Sequence, residues 1–244
     1  MATLSYHEQK DIENIKKLRE LQKELPSFCS DFFRGIETST STRTRIAYAY
    51  DLKIFFQFLK TANPGTFDNP SHTLTPSDLE KLTVTDLEEY IDYLKCHPSD
   101  TNEDVINTER GLMRKVSSLR SFYSYFFRNE RIEKNPAALV RMPKLHEKEI
   151  IRLEIDEVAK LLDEVEEGDK LTEKQKLYHE RTKVRDLAMM SLLLGTGIRV
   201  SECVGLNIND IDLDTCGARV YRKGGKESVI YFSDEVRNVL ENYL

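Results

Sequence analysis

The stretch from Asn107 to Phe127 constrains the fold most. Leu112, Val116, Leu119, Tyr123 and Phe126 recur every three or four positions. At about 100° per residue they fall on one side of a helix. Arg110, Arg114, Ser117, Ser121, Ser124 and Arg128 fall on the other. A chain with such a stripe has to bury it against other helices. The same period predicts a helix over about 41–61, with Tyr48, Leu52, Phe55 and Leu59 inward, and another from Thr85, with Leu87, Ile91 and Leu94 inward. A short charged helix is expected over 8–23, stopped by Pro26.

Between these segments, 62–75 and 96–105 read as loops. Asn135-Pro136 and Met142-Pro143 bracket an extended, basic stretch that reads as a linker, because a residue before proline avoids the helical region. A second domain opens with a helix over 154–166, followed by a polar loop, EEGDKLTEKQKLYHERTK, over 166–183. Residues 184–194 are apolar on nearly every side and predict a buried helix. Gly195-Thr196-Gly197 ends it. Two β segments, about 218–222 and 228–232, flank Lys223-Gly224-Gly225-Lys226 and predict a hairpin. Ser233 is placed to cap a last helix, in which Tyr243 reads as core beside Val236, Val239 and Leu240.

The resulting division is an N-terminal helix (1–24), a helical domain (25–142), a linker (143–150) and a second domain (151–244). The fold class is mainly α, with a small β-hairpin in the second domain.

Charge bears on the partner. The net charge of −6 excludes a uniformly basic coat. It leaves room for a local basic face, since screening makes nearby charge count for more than the total. Residues 107–150 carry ten Lys/Arg against five Asp/Glu. Arginines interleaved with small serines permit close approach to a duplex and contact with phosphate or guanine. From that helix alone, an ordinary solvated face fits equally well.

No apolar run approaches a membrane span, and the N-terminus lacks a signal core. A cytoplasmic protein is expected. Cys29, Cys96, Cys203 and Cys216 form no C-x-x-C pair and have no histidine at ligand spacing, so reduced thiols are expected and no metal. The five histidines read as surface or loop residues.

Two further stretches carry chemistry: 196–206 (TGIRVSECVGL) and 220–232 (VYRKGGKESVIYF). Arg199, just after a Gly-Thr-Gly break, can offer parallel donors to a phosphodiester. Glu202 can orient it. Lys223 at a hairpin tip is a mobile charge and a possible proton donor. Taken singly, Arg199 also fits a salt-bridge partner and Lys223 a solvated turn.

In this order and separation the motifs resemble the tyrosine recombinase (phage integrase) family, in particular its Xer members. Ser41, Thr44, Tyr48 and Asp51-Leu52 look like the first DNA-clamping helix of that family. Arg114 followed by Ser118-Leu119-Arg120-Ser121-Phe122 looks like a later one. Asn135-Pro136-Ala137 resembles the exit from that domain. The Arg-Lys-Gly-Gly-Lys hairpin, the 165–182 segment and LPSFCSDFF look most like the single-recombinase form.

The resemblance covers about 25–244. It implies a SAM-like core-binding domain followed by the first part of an α+β catalytic domain, the two forming a clamp on double-stranded DNA. It implies site-specific strand cleavage and rejoining through a 3′-phosphotyrosine in a homotetramer on two duplexes, with no cofactor. Arg199 and Lys223 map to catalytic positions, with Glu202 supporting. Arg43, Thr44, Arg45, Arg110, Arg114, Lys115, Ser117, Arg120 and Ser121 are the expected DNA contacts.

The sequence departs from the family pattern in one respect above all. The His-x-x-Arg motif, the later His or Trp and the nucleophilic tyrosine have no counterpart after Arg199. Tyr221 and Tyr231 sit in the β segments instead. Gly111 also stands where relatives often have threonine. The expectation is an N-terminal portion that binds DNA without cutting it. A non-catalytic DNA-binding module is the alternative, and a helical protein-interaction domain is a third reading.

Overall fold

The computed structural model describes residues 6–70, 72–98, 103–146, 149, 151–222 and 225–244. Lys223, Gly224 and the side chain of His7 lie outside the described residues. The chain divides into two compact units, Met1–Lys148 and Glu149–Leu244.

The first unit runs α1 (Tyr6–Lys23), α2 (Cys29–Gly35), α3 (Thr42–Ala62), α4 (Pro64–Phe67), α5 (Pro76–Leu79), α6 (Val84–Lys95), β1 (Cys96–Pro98), β2 (Asp104–Ile106) and α7 (Glu109–Arg128). A 3-10 turn, Pro136–Ala138, follows. The helix starts are chemically marked. Ser41 accepts the Thr44 N–H, and Thr108 accepts the Gly111 N–H. Thr83 and Asp86 exchange backbone bonds as a capping box.

Aromatic rings fill the centre. Phe32 of α2 meets Phe122 of α7 edge-on at 5.2 Å, and Phe55 of α3 meets Tyr90 of α6 at 5.0 Å. Each buried ring contributes a few kcal/mol of transfer free energy, at ~25 cal/mol per Å². Packing is tight enough that a Cβ on Gly35 would stand 2.1 Å from the Tyr125 ring.

The second unit runs α8 (Ile155–Glu167), α9 (Glu173–Thr196), α10 (Val200–Val204), β3 (Ile211–Asp212), β4 (Gly217–Arg222), β5 (Lys226–Tyr231) and α11 (Asp234–Tyr243). The strands form an antiparallel sheet in the order β3-β4-β5, with Val220 opposite Ser228 and Arg222 opposite Lys226. Ala188 and Leu192 of α9, Ala218 and Val220 of β4, Ile230 of β5, and Val236 and Leu240 of α11 make its core. A Cβ on Gly195 would come 2.8 Å from Val236 Cγ2, so that glycine lets α9 and α11 close up.

The mainly α class with a small hairpin is what the sequence predicts. Several local expectations are corrected. The 96–105 segment is not wholly loop, because β1 and β2 pair antiparallel with His97 opposite Val105. His97 is buried and stacks on Tyr93, so it is no surface histidine. The 166–183 loop is short, because α9 already begins at Glu173 behind a Thr172–Gln175 capping box. The 184–194 helix is only partly covered, with Ala188 and Leu192 its buried members. The linker expected from Asn135 is docked, since Pro136, Ala137 and Val140 are buried in the first unit. Tyr243 is 46% exposed rather than core.

Candidate nucleic-acid interface and phosphate site

The first unit places α3 and α7 side by side, and an open groove of about 560 Å³ runs over their seam. Its polar lining is Arg43 and Thr44 from the first turn of α3, and Arg110, Arg114 and Ser117 from α7. Ala47, Tyr48, Met113 and Leu145 supply an apolar part. The helix period brings them together. Arg43 and Ala47 are one turn apart on α3, and Arg110, Met113, Arg114 and Ser117 share one stripe of α7. Ser121 lies a turn further along that stripe and is half-buried.

The other expected contacts sit elsewhere. Arg45 is buried, and its Nη1 donates to Glu37 at 2.7 Å. Lys115 is buried, and its Nζ donates to Asn107 Oδ1 at 2.8 Å. Burial lowers its pKa. Arg120 donates to the carbonyls of Ala137, Ala138 and Val140, tying the 3-10 turn to α7.

The sequence reading missed two features. One is the apolar lining from Ala47, Met113 and Leu145. The other is the pairing of Asp51, already noted on α3, with the Arg114 guanidinium: Nη1 donates to Oδ2 at 2.6 Å. The available signal was helical spacing, since Asp51 is one turn beyond Ala47 on α3.

In the second unit, α9 ends at Thr196 and Gly197 takes φ +66°, the left-handed cap that a glycine adopts without strain. Ile198 is buried just beyond it, and Arg199 caps α10. Glu202, 5% exposed, accepts the Arg199 backbone N–H at 3.1 Å and the Nη1 at 2.7 Å. These bonds, backbone first and guanidinium second, hold its carboxyl below the usual range, and the charge of Arg222 adds to the effect. The Arg199 side chain stays 67% exposed. It is therefore held at its backbone and at one guanidinium nitrogen while most of the side chain stays open, which suits a preorganised anion donor. Lys223, expected in the β4–β5 turn, lies outside the described residues. Tyr221 and Tyr231 are exposed on that hairpin.

A helical unit with an arginine-lined seam, joined in sequence to an α/β unit with a rooted arginine beside a hairpin, defines a recognisable class. Residues 151–244 match the model of the Phage integrase family. The tyrosine recombinase XerC of Caldanaerobacter subterraneus subsp. tengcongensis is 34% identical over 228 residues, covering 90% of this chain and 58% of the relative. The tyrosine recombinase XerS of Streptococcus uberis is 31% identical over 255 residues, covering 94% of this chain and 70% of the relative. Among solved structures, a lambda integrase dimer bound to a COC′ core site superposes with a TM-score of 0.54 at 15% identity. That match covers 98% of this chain and 68% of the other.

The chain belongs to the tyrosine recombinase (phage integrase) family. It spans 58% of the length of the first XerC relatives it matches. No helix among the described residues is long and apolar enough to cross a membrane.

Proposed function

We propose that this chain binds double-stranded DNA through the α3–α7 groove and serves site-specific recombination. The observation that carries the reading is the convergence of Arg43, Arg110 and Arg114, with Thr44 and Ser117, on one open groove. Cationic forks flanking small hydroxyl residues fit a phosphate backbone approached closely. The contact set is then narrower than residue type suggests. Arg43, Thr44, Arg110, Arg114, Ser117 and Ser121 face the duplex, while Arg45, Lys115 and Arg120 brace the helices. The lambda integrase dimer of similar fold was solved on a core-site DNA, which is in keeping with the same partner here.

In the second unit Arg199, oriented by Glu202, holds the scissile phosphate, and Lys223 is its proton-donating companion. No histidine follows Arg199 in the 244 residues, and the tyrosines that do follow it lie in β4, β5 and the last turn of α11. Cleavage through a phosphotyrosine, in a tetramer on two duplexes, therefore needs groups beyond these residues. By themselves they bind without cutting.

The test is affinity for linear duplex DNA over a salt series. Removing one arginine that neutralises a phosphate should make the slope of log affinity against log salt shallower by ~0.9. Arg43→Ala, Arg110→Ala and Arg114→Ala should each do so, and unchanged slopes would overturn the interface. The alternative is a non-catalytic DNA-binding module built on the same groove. Sequencing past the codon for Leu244 separates the two: an open frame with His-x-x-Arg and a late tyrosine supports the recombinase, and a stop codon supports the module.

A further inference from the structure

Asp51 is an anomaly just behind the groove, paired with the Arg114 that lines it. Its side chain is 2% exposed, yet its only hydrogen bond among the described residues is the one from Arg114 to Oδ2. Oδ1 is buried with no partner. A carboxylate in that setting is a poor stabilising device, because desolvation offsets much of the ion-pair attraction. Buried polar atoms left unpaired are uncommon and call for a reason.

The arrangement makes sense from the side of Arg114. That guanidinium is 45% exposed and lines the groove. Its Nη1 is held by Asp51 Oδ2 at 2.6 Å and lies 3.5 Å from the Ala47 carbonyl. Nε and Nη2 make no hydrogen bond among the described residues. One edge of a planar fork is thus anchored to α3, and the other is left for a ligand.

We propose that Asp51 is a positioning residue for DNA binding, clamping Nη1 of Arg114 so that the Nε–Nη2 edge is presented to a backbone phosphate. This rests on the reading of the groove as the DNA interface. A free arginine side chain loses rotamer freedom when it engages a phosphate, and a clamp removes most of that loss in advance. The position of Asp51 behind the arginine also keeps its own negative charge away from the duplex side of the groove.

Two cations act on the carboxyl, and a third group bonds the backbone of the same residue. Arg114 and Lys115 come from α7, with Lys115 Nζ held by Asn107. From α6, the Tyr90 hydroxyl donates to the Asp51 carbonyl oxygen at 3.4 Å. Burial pushes the carboxyl up to about 6 against the pull of both cations, so it is ionised at neutral pH and neutral a little below.

A purely electrostatic role and a clamp predict opposite signs. Removing a negative charge near DNA should strengthen binding if charge alone matters. Under the clamp, Asp51→Asn weakens binding of a labelled linear duplex of mixed sequence. The expected factor is on the order of threefold to tenfold, the scale of exchanging a charge-assisted hydrogen bond for a neutral one. In the Arg114→Ala background the same change should have no further effect.

The ratio of the Asp51→Asn dissociation constant to that of the unchanged chain should also fall towards one between about pH 7.5 and about pH 5, as the native carboxyl takes up its proton. That convergence ties the effect to the ionised carboxylate rather than to the shape of the side chain. Thermal melts of each variant identify any that do not fold, and Asp51→Asn preserves the shape. Stronger or unchanged binding by Asp51→Asn, while Arg114→Ala still weakens it, overturns the clamp and leaves the interface standing. No effect of Arg114→Ala overturns both.

Discussion

The two units bury their apolar residues very differently. In the first, α2, α3, α6 and α7 enclose a continuous aromatic centre in which Phe32, Phe122 and Phe126 are fully buried. In the second, the core is a thin layer between α9, the sheet and α11, and much apolar surface faces outward. Ile155 is 89% exposed, Leu177 71%, and Ile208 70%. Large apolar side chains left this exposed contribute little to the stability of the unit. The first unit therefore carries the marks of a self-sufficient fold. The second has a well-ordered Arg199–Glu202 corner on a weakly supported base.

The largest test of that contrast is a pair of truncations. Phe32→Ala, which removes a ring touching Phe33, Tyr48, Phe122 and Tyr125, should cost the first unit about 3–5 kcal/mol. Leu192→Ala should cost the second about 2 kcal/mol, the low end for such a change, because an open core collapses into the gap. Denaturant melts followed by unit-specific probes would show this. Equal losses would mean that the second unit is as well packed as the first.

Next in size is a pH effect confined to the first unit, where two buried carboxyls are shifted in opposite directions. Asp51 rises to about 6 through burial, so the stability it contributes is complete below about pH 4 and lost as pH rises through 6. Burial also pushes Asp78 upward, but hydrogen bonds from Lys81, the Thr75 N–H, His72 and the Thr75 hydroxyl outweigh it and bring it to about 2. Its stability is present above about pH 4 and lost as pH falls towards 2. Asp51→Asn should remove up to about 3 kcal/mol of pH dependence between pH 4 and 7. Asp78→Asn should flatten the acid side instead. Stability profiles of the two variants with the same shape would contradict these assignments.

Smaller effects belong to the second unit. Gly197→Ala forces a side chain onto a left-handed residue and should cost about 1–2 kcal/mol. It should also loosen Arg199, two residues on. Glu202→Gln should leave the melting temperature nearly unchanged, since its partner is mostly exposed. It should nevertheless weaken phosphate protection of Arg199 from guanidinium-reactive reagents. Full protection in that variant would show that the root of Arg199 does not depend on the carboxylate.

Helices with one apolar stripe were legible in the sequence, because periodicity and caps such as Ser41 and Ser233 report local physics directly. The first half of α9 was not. Residues 173–183 carry no stripe to bury, and their helix rests on good helix formers and i,i+3 pairs such as Lys176–Glu173 and Lys183–Glu180. The β1–β2 hairpin was hidden because His97, Pro98 and Asp104 are poor strand residues. At the groove, Arg110 and Arg114 were readable from their face of α7. The internal bonds of Arg45, Lys115 and Arg120 were not, because whether a cation already holds a neighbour's oxygen depends on the third dimension.

The outer stripe of α7 has a fixed length. From Arg110 to Ser121 it rises about 16 Å at 1.5 Å per residue. Laid along a duplex at ~3.4 Å per base step, that is a reading frame of at most about five base pairs. A word of five letters recurs roughly every thousand positions, while a chromosome offers on the order of a million or more competing sites. On the reading of this groove as a DNA interface, one groove of this size does not pick out a unique address, and selectivity is multiplied across several such words read at a set spacing.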